Sequence, residues 1–368
     1  MGRAGSPRPE NRRLSGTVAR RAGIVGAVVG AAAAGVAALA AAQRALVRRE
    51  KRGTPDPYAD EPFGELPYDE QCVVTTGDGT DVYVEIVEPA HPAAGRPTLV
   101  FVHGFCLDMN AFHFQRKALA DAGFRMVFYD QPGHGRSGKL ESGEYEFPAL
   151  VAALRAVIDR AAPDGPLVLV GHSMGGMTLM ALAELCPEMF GDRVVGVVLI
   201  ATSAGLTPEA KSGLAAMIAR FGGPLLPLAR NATRFTGGVI DRARLAASDL
   251  AWLLTRRYAF GDDRPSPALV SHVEQMNSRT TMDTIARYLR AIYTHVRYPA
   301  LAALRATPTL VITGEQDRII PVEHSEEIVR RLPDAEFVRV PDSGHMVLLE
   351  HADEVNAALT AFLNRLGT

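Results

Sequence analysis

One serine in the chain is flanked by glycines in a way that suggests a nucleophile. Ser173 lies at the centre of the pentapeptide GHSMG, which follows the apolar run Leu167–Gly171 and precedes a segment rich in helix-forming residues. A G-x-S-x-G sequence between a strand and a helix makes a sharp turn that lifts the serine hydroxyl above the sheet, and side chains in place of its glycines would clash with the neighbouring strand and helix. The pattern predicts that Ser173 is a catalytic nucleophile.

Two later segments supply an acid and a base in the order that this turn requires. A serine hydroxyl is a weak nucleophile at neutral pH and needs a base that an acid holds in place. The stretch TLVITGEQD carries Asp317 just past the end of a predicted strand, and FVRVPDSGH does the same for His345. Because the carboxyl ends of parallel strands meet at one edge of a sheet, we expect Ser173, Asp317 and His345 to meet there as a catalytic triad.

Other carboxylates and histidines compete for these roles. The alternative acids are Glu315, Asp342 and Glu350, and the alternative bases are His134, His172 and His351. Asp342 is too close to His345 along the chain to orient it easily, and Glu315 follows the strand directly, where it serves the turn. At a turn of this kind His172 should point away from the serine. His351 lies at the start of the last helix, where we expect it to be exposed.

An attack by serine also requires hydrogen-bond donors for the negative charge that develops on the substrate oxygen. The backbone N–H of Met174, directly after the nucleophile, is one expected donor. The loop HGFC after the strand TLVFV supplies the other, which we assign to the backbone N–H of Phe105. Cys106 lies beside it without an evident base or cationic cluster nearby in the sequence, and this favours a structural role for its thiol.

Alternating strand and helix patterns surround these residues. The predicted strands are Gln71–Thr75, Val82–Val87, Thr98–His103, Met126–Asp130, Leu167–Gly171, Val194–Ala201, Thr309–Thr313 and Phe337–Val340. The predicted helices lie near Ala111–Ala122, Pro148–Ala162, Met174–Cys186, Val322–Arg331 and Asp353–Leu366. The alternation predicts an α/β fold, in which helices cover both faces of a mostly parallel eight-stranded sheet. Only GDGT separates the first two strands, which predicts an antiparallel hairpin at the sheet edge.

Residues 203–304 interrupt this alternation. They contain several helical patterns, such as TMDTIARYLRAIYTHV, and no convincing strand. We expect a helical lid inserted between two parts of the core, residues 68–202 and 305–368. The apolar stretches GLAAMIARFGGPLLPLA and DLAWLLT within the insertion either line a lipophilic cavity or pack on the main domain.

Four separated motifs occur in the order of a known superfamily: HGF after one strand, YDQPGHGRS after the next, GHSMGG, and the late pair GEQD and GH. From about Cys72 to its end the chain resembles the α/β-hydrolase superfamily, and within it the lid-bearing branch of serine esterases and lipases. The resemblance implies that Asp130 and His134 belong to the structural loop D-x-x-G-x-G-x-S rather than to catalysis. Epoxide hydrolases and dehalogenases use an aspartate at the position of Ser173, so the serine argues against both.

The triad and the resemblance together predict a serine hydrolase that cleaves carboxylic esters through an acyl-enzyme on Ser173, without a cofactor or a metal. The expected substrate is a small, apolar, lipid-like ester. The same triad can also cleave C–C bonds of diketones, or thioesters. The fold can, in addition, serve as a catalytically inactive ligand-binding module.

Composition argues against several other classes of protein. The 368-residue chain has a formal net charge of −2, without the basic excess of a nucleic-acid-binding protein. Its three cysteines, Cys72, Cys106 and Cys186, show no paired spacing. They therefore indicate neither a zinc site nor a disulfide framework. We expect a small-molecule substrate and no nucleic-acid partner.

The segment before the core differs from the rest in composition. Residues 1–52 form a basic leader around Ala22–Ala42, which is 21 residues without a charged or polar side chain. As a helix this run would span about 30 Å, the thickness of a bilayer's hydrocarbon core. We predict a membrane anchor with the hydrolase domain outside. A cleaved export signal or an Ala-rich leader stays open, because Ala and Gly insert weakly. Residues 53–67 carry four prolines and predict a linker, with the folded domain beginning near Tyr68.

Overall fold

The computed structural model describes residues 2, 41–54, 56–89, 91, 95–120, 122–205 and 249–366. These residues fold around an eight-stranded sheet. Its strands are β1 (Glu70–Thr75), β2 (Asp81–Val87), β3 (Thr98–Val102), β4 (Met126–Tyr129), β5 (Leu167–His172), β6 (Val194–Ile200), β7 (Thr309–Gly314) and β8 (Glu336–Val340). All eight predicted strands are confirmed, each to within one residue at either end.

The strands are arranged in the order β1-β2-β4-β3-β5-β6-β7-β8. β1 and β2 pair antiparallel, as the short turn between them predicts, and β2 also runs antiparallel to β4. The remaining neighbours pair parallel. The chain steps outward from β3 to β4 and then returns to form β5 on the other side of β3. This reversal creates a switch point between β3 and β5, which is where open α/β sheets bind their ligands.

Helices cover both faces of the sheet. Their bounds are α1 (His113–Ala120), α2 (Phe147–Ala161), α3 (Met174–Leu185), α4 (Pro267–Arg279), α5 (Met282–Thr294), α6 (Glu323–Arg331), α7 (Val347–Glu350) and α8 (Ala352–Leu366). Residues 41–53 and 249–259 are also helical, and Met109–Phe112, Pro187–Met189 and Tyr298–Ala306 form 3₁₀ helices. α2 and α3 pack in the apolar core on one face, and α1 and α8 pack in the core on the other. β4 and β5 are therefore buried along their whole length, which explains their unbroken apolar sequences.

The described part of the predicted lid is mostly helical. Helical residues 249–259, α4 and α5 lie between β6 and β7. The apolar stretch GLAAMIARFGGPLLPLA lies outside the described residues. In the second stretch, DLAWLLT, the buried side chain of Trp252 belongs to the same apolar core as α1 and α8, and its indole N–H donates to the hydroxyl of Ser271 in α4 (3.0 Å). Trp252 thus packs within the folded body.

Residues 41–54 and 56–67, here called the N-terminal strap, also pack against the helices between β6 and β7. The carboxylate of Glu50 lies 3.1 Å from the guanidinium of Arg256. The ammonium of Lys51 donates to the hydroxyl of Ser271 (3.3 Å) and lies 5.2 Å from the ring centre of Trp252. The strap is therefore bound to both helical residues 249–259 and α4.

The second half of the strap binds the start of α4 and the surface of α1. The carboxylate of Asp56 accepts hydrogen bonds from the hydroxyl of Ser266, the N-cap residue, and from the Ala268 N–H in the first turn (3.0 Å). The ring of Phe63 stacks on His272 with 4.4 Å between centroids. Residues of the predicted linker thus have partners far away in the sequence. The domain boundary near Tyr68 stays a prediction.

The predicted membrane segment Ala22–Ala42 lies almost entirely outside the described residues. Within the residues that the structure does describe, no helix is both long enough and apolar enough to cross a bilayer. The membrane anchor therefore stays a prediction.

Candidate active site

Ser173 lies in a strained turn between β5 and α3. Its backbone has φ 54° and ψ −118°, a conformation that residues other than glycine rarely adopt. A Cβ atom at Gly175 would come within 1.9 Å of the Val102 carbonyl oxygen, so α3 can approach β3 only with glycine at that position. The Ser173 N–H donates to the Ile200 carbonyl oxygen (2.9 Å) and ties the turn to β6. The sharp turn that GHSMG predicts is present.

Ser173, Asp317 and His345 meet at the carboxyl edge of the sheet. The hydroxyl of Ser173 lies 3.0 Å from Nε2 of His345, and Nδ1 of the same ring lies 2.8 Å from Oδ2 of Asp317. The three side chains come from the loops after β5, β7 and β8, and each residue is less than a tenth exposed. The imidazole can therefore donate to the carboxylate and accept from the hydroxyl at the same time.

Backbone groups fix the Asp317 carboxylate. Its second oxygen, Oδ1, accepts hydrogen bonds from the N–H groups of Ile319 and Ile320, both at 2.8 Å. These bonds leave Oδ2 free to accept from the Nδ1–H of His345. The resulting tautomer directs the lone pair of Nε2 at the Ser173 hydroxyl, which is the arrangement that a general base requires.

The residues predicted to stabilise an oxyanion lie on either side of the nucleophile. Met174 is the first residue of α3, directly after Ser173. The loop that carries Phe105 packs against the nucleophile, because a Cβ atom at Gly104 would lie 3.1 Å from Cβ of Ser173. The two backbone N–H groups therefore belong to segments that adjoin the serine. Their role as oxyanion donors stays a prediction.

The alternative acids make contacts with groups other than the His345 ring. Glu315 pairs with Arg339 at 3.0 Å, and Asp342 accepts from the side-chain amide of Gln316 at 3.0 Å. Glu350 accepts hydrogen bonds from backbone N–H groups, including that of Gly344. Asp317 is therefore the carboxylate that pairs with the histidine ring.

The alternative bases are likewise engaged elsewhere. The Nε2–H of His172 donates to the backbone carbonyl of His345 (3.0 Å), and burial lowers the pKa of His172. His134 donates through Nδ1 to the Pro132 carbonyl (3.1 Å), and burial lowers its pKa to about 3. His351 is partly exposed and lies 3.5 Å from Glu354. His345 is the histidine that contacts the Ser173 hydroxyl.

Asp130 serves the loop that the resemblance implies. Its carboxylate accepts hydrogen bonds from the backbone N–H of Met109 (2.8 Å) and of Arg136 (2.7 Å), which joins the loop after β3 to the loop after β4. Burial, with the neighbouring charge of Asp108, raises the pKa of Asp130 to about 7. Burial also raises the pKa of the Cys106 thiol, so this group is not a thiolate at neutral pH.

Sequence reasoning did not identify the contact between α4 and the loop after β3. Asp108 caps the 3₁₀ helix Met109–Phe112 by accepting from the Asn110 N–H (3.0 Å), and its other oxygen lies 3.0 Å from the Arg279 guanidinium at the end of α4. The capping role is visible in the sequence, because an aspartate commonly precedes a helix. The pairing with Arg279 carries no local signal, since the two residues are far apart along the chain.

The sequence pattern of a known family covers most of this architecture. Residues 97–352 match the family of the alpha/beta hydrolase fold, and this range includes β3 to β8 and every residue of the candidate site. The match spans well over half of the chain. The chain therefore belongs to the α/β-hydrolase fold family.

Individual relatives differ in activity. The chain is 33% identical over 281 residues to the dihydrolipoyllysine-residue acetyltransferase component of the acetoin cleaving system of Pseudomonas putida, which covers 74% of this chain but only 64% of that protein. It is 29% identical over 270 residues to the sn-1-specific diacylglycerol lipase of Mus musculus, covering 73% of this chain and 81% of the lipase. The solved structure of a thermophilic esterase from Thermogutta terrifontis, with malate bound, has a TM-score of 0.60 and 25% identity, covering 82% of this chain and 100% of the esterase. The chain spans less than two thirds of the acetyltransferase component, whereas it spans most of the lipase and all of the esterase.

Proposed function

We propose that this protein is a serine hydrolase of carboxylic esters that forms an acyl-enzyme on Ser173. The observation that carries the proposal is the continuous chain of hydrogen bonds from Asp317 through His345 to the Ser173 hydroxyl, at a turn whose backbone is strained. Strain of this kind persists at functional sites, where the surrounding structure holds the residue in place. The similarity to an esterase and to a lipase supports the same reaction.

The reaction proceeds in two halves. Nε2 of His345 takes the proton from the Ser173 hydroxyl as the oxygen attacks the ester carbonyl, and the N–H groups of Phe105 and Met174 stabilise the oxyanion. The tetrahedral intermediate collapses, the C–O bond of the ester breaks, and the alcohol leaves with the proton from His345. Water then gives a proton to Nε2 and attacks the acyl carbon. The bond between this carbon and the Ser173 oxygen breaks, the oxygen takes the proton back from Nε2, and the acid is released. Asp317 holds the imidazole in the required tautomer and stabilises its protonated form throughout.

Aromatic rings near the proposed oxyanion donor favour an apolar ester. The Phe105 ring lies 6.5 Å from Tyr288 of lid helix α5 and 6.1 Å from His134, centroid to centroid. His134 and Tyr288 are buried, and burial keeps His134 neutral, so the group carries no charge that would favour an ionic substrate. A small, lipid-like ester fits this environment.

We further propose that Ala22–Ala42 anchors the enzyme in a membrane, with the hydrolase domain outside. The support is the uncharged run of bilayer length and the basic residues on both sides of it. Cell fractionation of the full-length chain tests this part. Protein in the membrane pellet that resists a carbonate wash supports an anchor, a shortened mature chain outside the cell indicates a cleaved signal, and uncleaved soluble protein overturns both.

A substrate panel tests the proposed chemistry. p-Nitrophenyl esters of increasing acyl length, a thioester and a vinylogous diketone are each offered to the wild-type protein and to Ser173→Ala. Turnover of the esters by the wild type alone, strongest with apolar acyl chains, supports the proposal. Faster turnover of the diketone or of the thioester would show that the triad cleaves C–C bonds or thioesters instead. Equal turnover by both proteins, or none by either, would overturn the assignment of Ser173 as the nucleophile of an ester hydrolase.

A further inference from the structure

The Glu350 carboxylate, at the end of α7, joins two separate segments of the chain. Oε1 accepts hydrogen bonds from the N–H groups of Gly261 (2.9 Å) and Asp262 (2.8 Å), which follow lid residues 249–259. Oε2 accepts from the N–H of Gly344 (2.7 Å), the residue directly before His345. One carboxylate therefore holds a lid segment and the loop of the proposed catalytic base together.

Close backbone packing accompanies these bonds. A Cβ atom at Gly344 would lie 2.5 Å from the Gly261 nitrogen, so the two segments touch with no room for a side chain. The N–H of Met346 donates to the Ala259 carbonyl oxygen (2.9 Å), on the other side of His345. The loop of His345 is thus bound to the lid segment by residues both before and after the histidine.

The same lid segment reaches the loop of the acid. The guanidinium of Arg318, the residue after Asp317, donates to the carbonyl oxygens of Arg257 (3.0 Å) and Phe260 (3.1 Å). Residues 257–262, here called the lid brace, therefore contact the neighbours of both Asp317 and His345. A shift of this segment would move the acid and the base relative to Ser173, which lies in the turn after β5.

These contacts require that both oxygens of the Glu350 side chain act as hydrogen-bond acceptors. Three N–H groups converge on the Glu350 side chain, and an ionised carboxylate accepts from all of them. An amide in its place would direct its own N–H₂ group at one of these donors, and the contact on that side would be lost. A glutamine at position 350 therefore keeps the size of the side chain but loses the hydrogen bonds on one side of it.

We infer that Glu350 is a positioning residue, whose carboxylate couples the lid brace to the loop of His345 and thereby sets the alignment of His345 with Ser173. This inference rests on the proposed function, because the alignment matters only if His345 is the base. The inference also assigns Glu350 a role other than that of the triad acid, because its partners are backbone N–H groups and not the His345 ring.

The test compares Glu350→Gln with two controls. Glu354→Gln changes an exposed carboxylate one turn along the chain. Val157→Ala removes buried side-chain volume from α2, on the face of the sheet opposite to the lid brace, and it reports the effect of lost stability alone. We expect Glu350→Gln to lower kcat for a p-nitrophenyl ester about 10- to 100-fold with KM changed less than about threefold, since small misplacements of a catalytic group cost that much. Both controls should keep kcat within about twofold when assayed well below their melting temperatures.

Amide hydrogen exchange supplies the second measurement. In Glu350→Gln the exchange of the peptides that contain 257–262 and 343–346 should rise together, and the peptides of β3 and β5 should stay as in the wild type. The inference is overturned if Glu350→Gln leaves kcat unchanged or lowers it no more than Val157→Ala does. It is also overturned if exchange becomes faster in only one of the two segments.

Labelling of Ser173 by a fluorophosphonate separates this inference from the proposed function. If the wild type is labelled stoichiometrically and Glu350→Gln is labelled fully but more slowly, both stand. If the wild type itself is not labelled, the proposed function fails. If the wild type and Glu350→Gln are labelled at the same rate, the function stands and the positioning role of Glu350 fails.

Discussion

The guanidinium of Arg279, at the carboxyl end of lid helix α4, lies 3.0 Å from the buried carboxylate of Asp108 in the loop that follows β3. The side chain of Asp108 is 3% exposed, whereas that of Arg279 is 48% exposed, so a half-exposed cation on α4 pairs with a buried carboxylate. Met109, which follows Asp108 in the chain, donates its N–H to Asp130. α4 therefore contacts the same loop that carries Phe105.

Removal of this cation should destabilise the protein modestly. We expect Arg279→Gln to lower the free energy of unfolding by about 1 kcal/mol, because Asp108 keeps the hydrogen bonds of Asn110 but loses its counter-charge, and the exposure of Arg279 screens the loss. Urea unfolding of the wild type and of Arg279→Gln measures this difference in the free energy of unfolding. Arg290→Gln on α5, an exposed position, is the control and should change stability by less than about 0.5 kcal/mol. An equal effect of both substitutions would contradict a specific contact with Asp108.

Asp130 should make stability depend on pH in an unusual direction. Its pKa in the folded protein is about 7, because of burial and the charge of Asp108, whereas an unfolded aspartate titrates near about 4. Between these values the folded state binds the proton more tightly than the unfolded state does. The contribution of Asp130 to stability therefore falls as pH rises from about 4 to about 7, and it is constant above that range.

Urea unfolding at several pH values checks this expectation. The free energy of unfolding of Asp130→Asn should depend less on pH between about 4 and about 7 than that of the wild type. Asp159→Asn, on the exposed side of α2, should follow the wild-type curve. If the curves of the wild type and Asp130→Asn run parallel across this range, Asp130 is not protonated in the folded protein.

The N-terminal strap should contribute to folding. Asp56→Ala removes the carboxylate that accepts from Ser266 and Ala268 at the start of α4, and we expect it to lower the free energy of unfolding by about 1 kcal/mol, the usual net contribution of such hydrogen bonds. Asp60→Ala changes an exposed residue of the same strap and should have little effect. A chain that begins at Tyr68 should melt well below one that begins at residue 41. Equal melting temperatures of these two chains would show that the strap only lies on the surface.

The ranking of the carboxylates tests which one serves as the acid. Asp317→Asn should lower kcat by about three to four orders of magnitude, because an amide at this position would hold His345 in the wrong tautomer. Glu315→Gln and Asp342→Asn, which pair with Arg339 and Gln316, should change kcat by less than about fivefold. A larger loss in either of these variants than in Asp317→Asn would move the acid elsewhere.

Local patterns in the sequence predicted the sheet and the elements around Ser173. Each strand is a short apolar run that ends at a polar or glycine-rich loop, and this signal depends only on neighbouring residues. Chain order and the geometry of parallel strands then brought Asp317 and His345 to the edge that carries the serine. The structure adds the contacts of 3.0 Å and 2.8 Å that join the three side chains.

Contacts between distant residues could not be predicted in this way. In the sequence, Glu350 is only an alternative candidate for the triad acid. The tertiary fold brings the N–H groups of Gly261 and Gly344 to its carboxylate. The prolines before Tyr68 are typical of a linker, yet Asp56 among them accepts a hydrogen bond from the first turn of a helix that starts about two hundred residues later. Such pairings depend on the tertiary fold, and no local periodicity encodes them.

The covalent state of Ser173 tests the central claim most directly. The wild-type protein and Ser173→Ala are each incubated with an excess of a fluorophosphonate, and the products are weighed intact and mapped by peptide mass spectrometry. We predict one phosphonyl group per wild-type chain, on the peptide that contains Ser173, with ester turnover lost in proportion to labelling and no adduct on Ser173→Ala. An unlabelled wild-type chain that nevertheless turns over esters, or an adduct on another residue that persists in Ser173→Ala, would contradict the account.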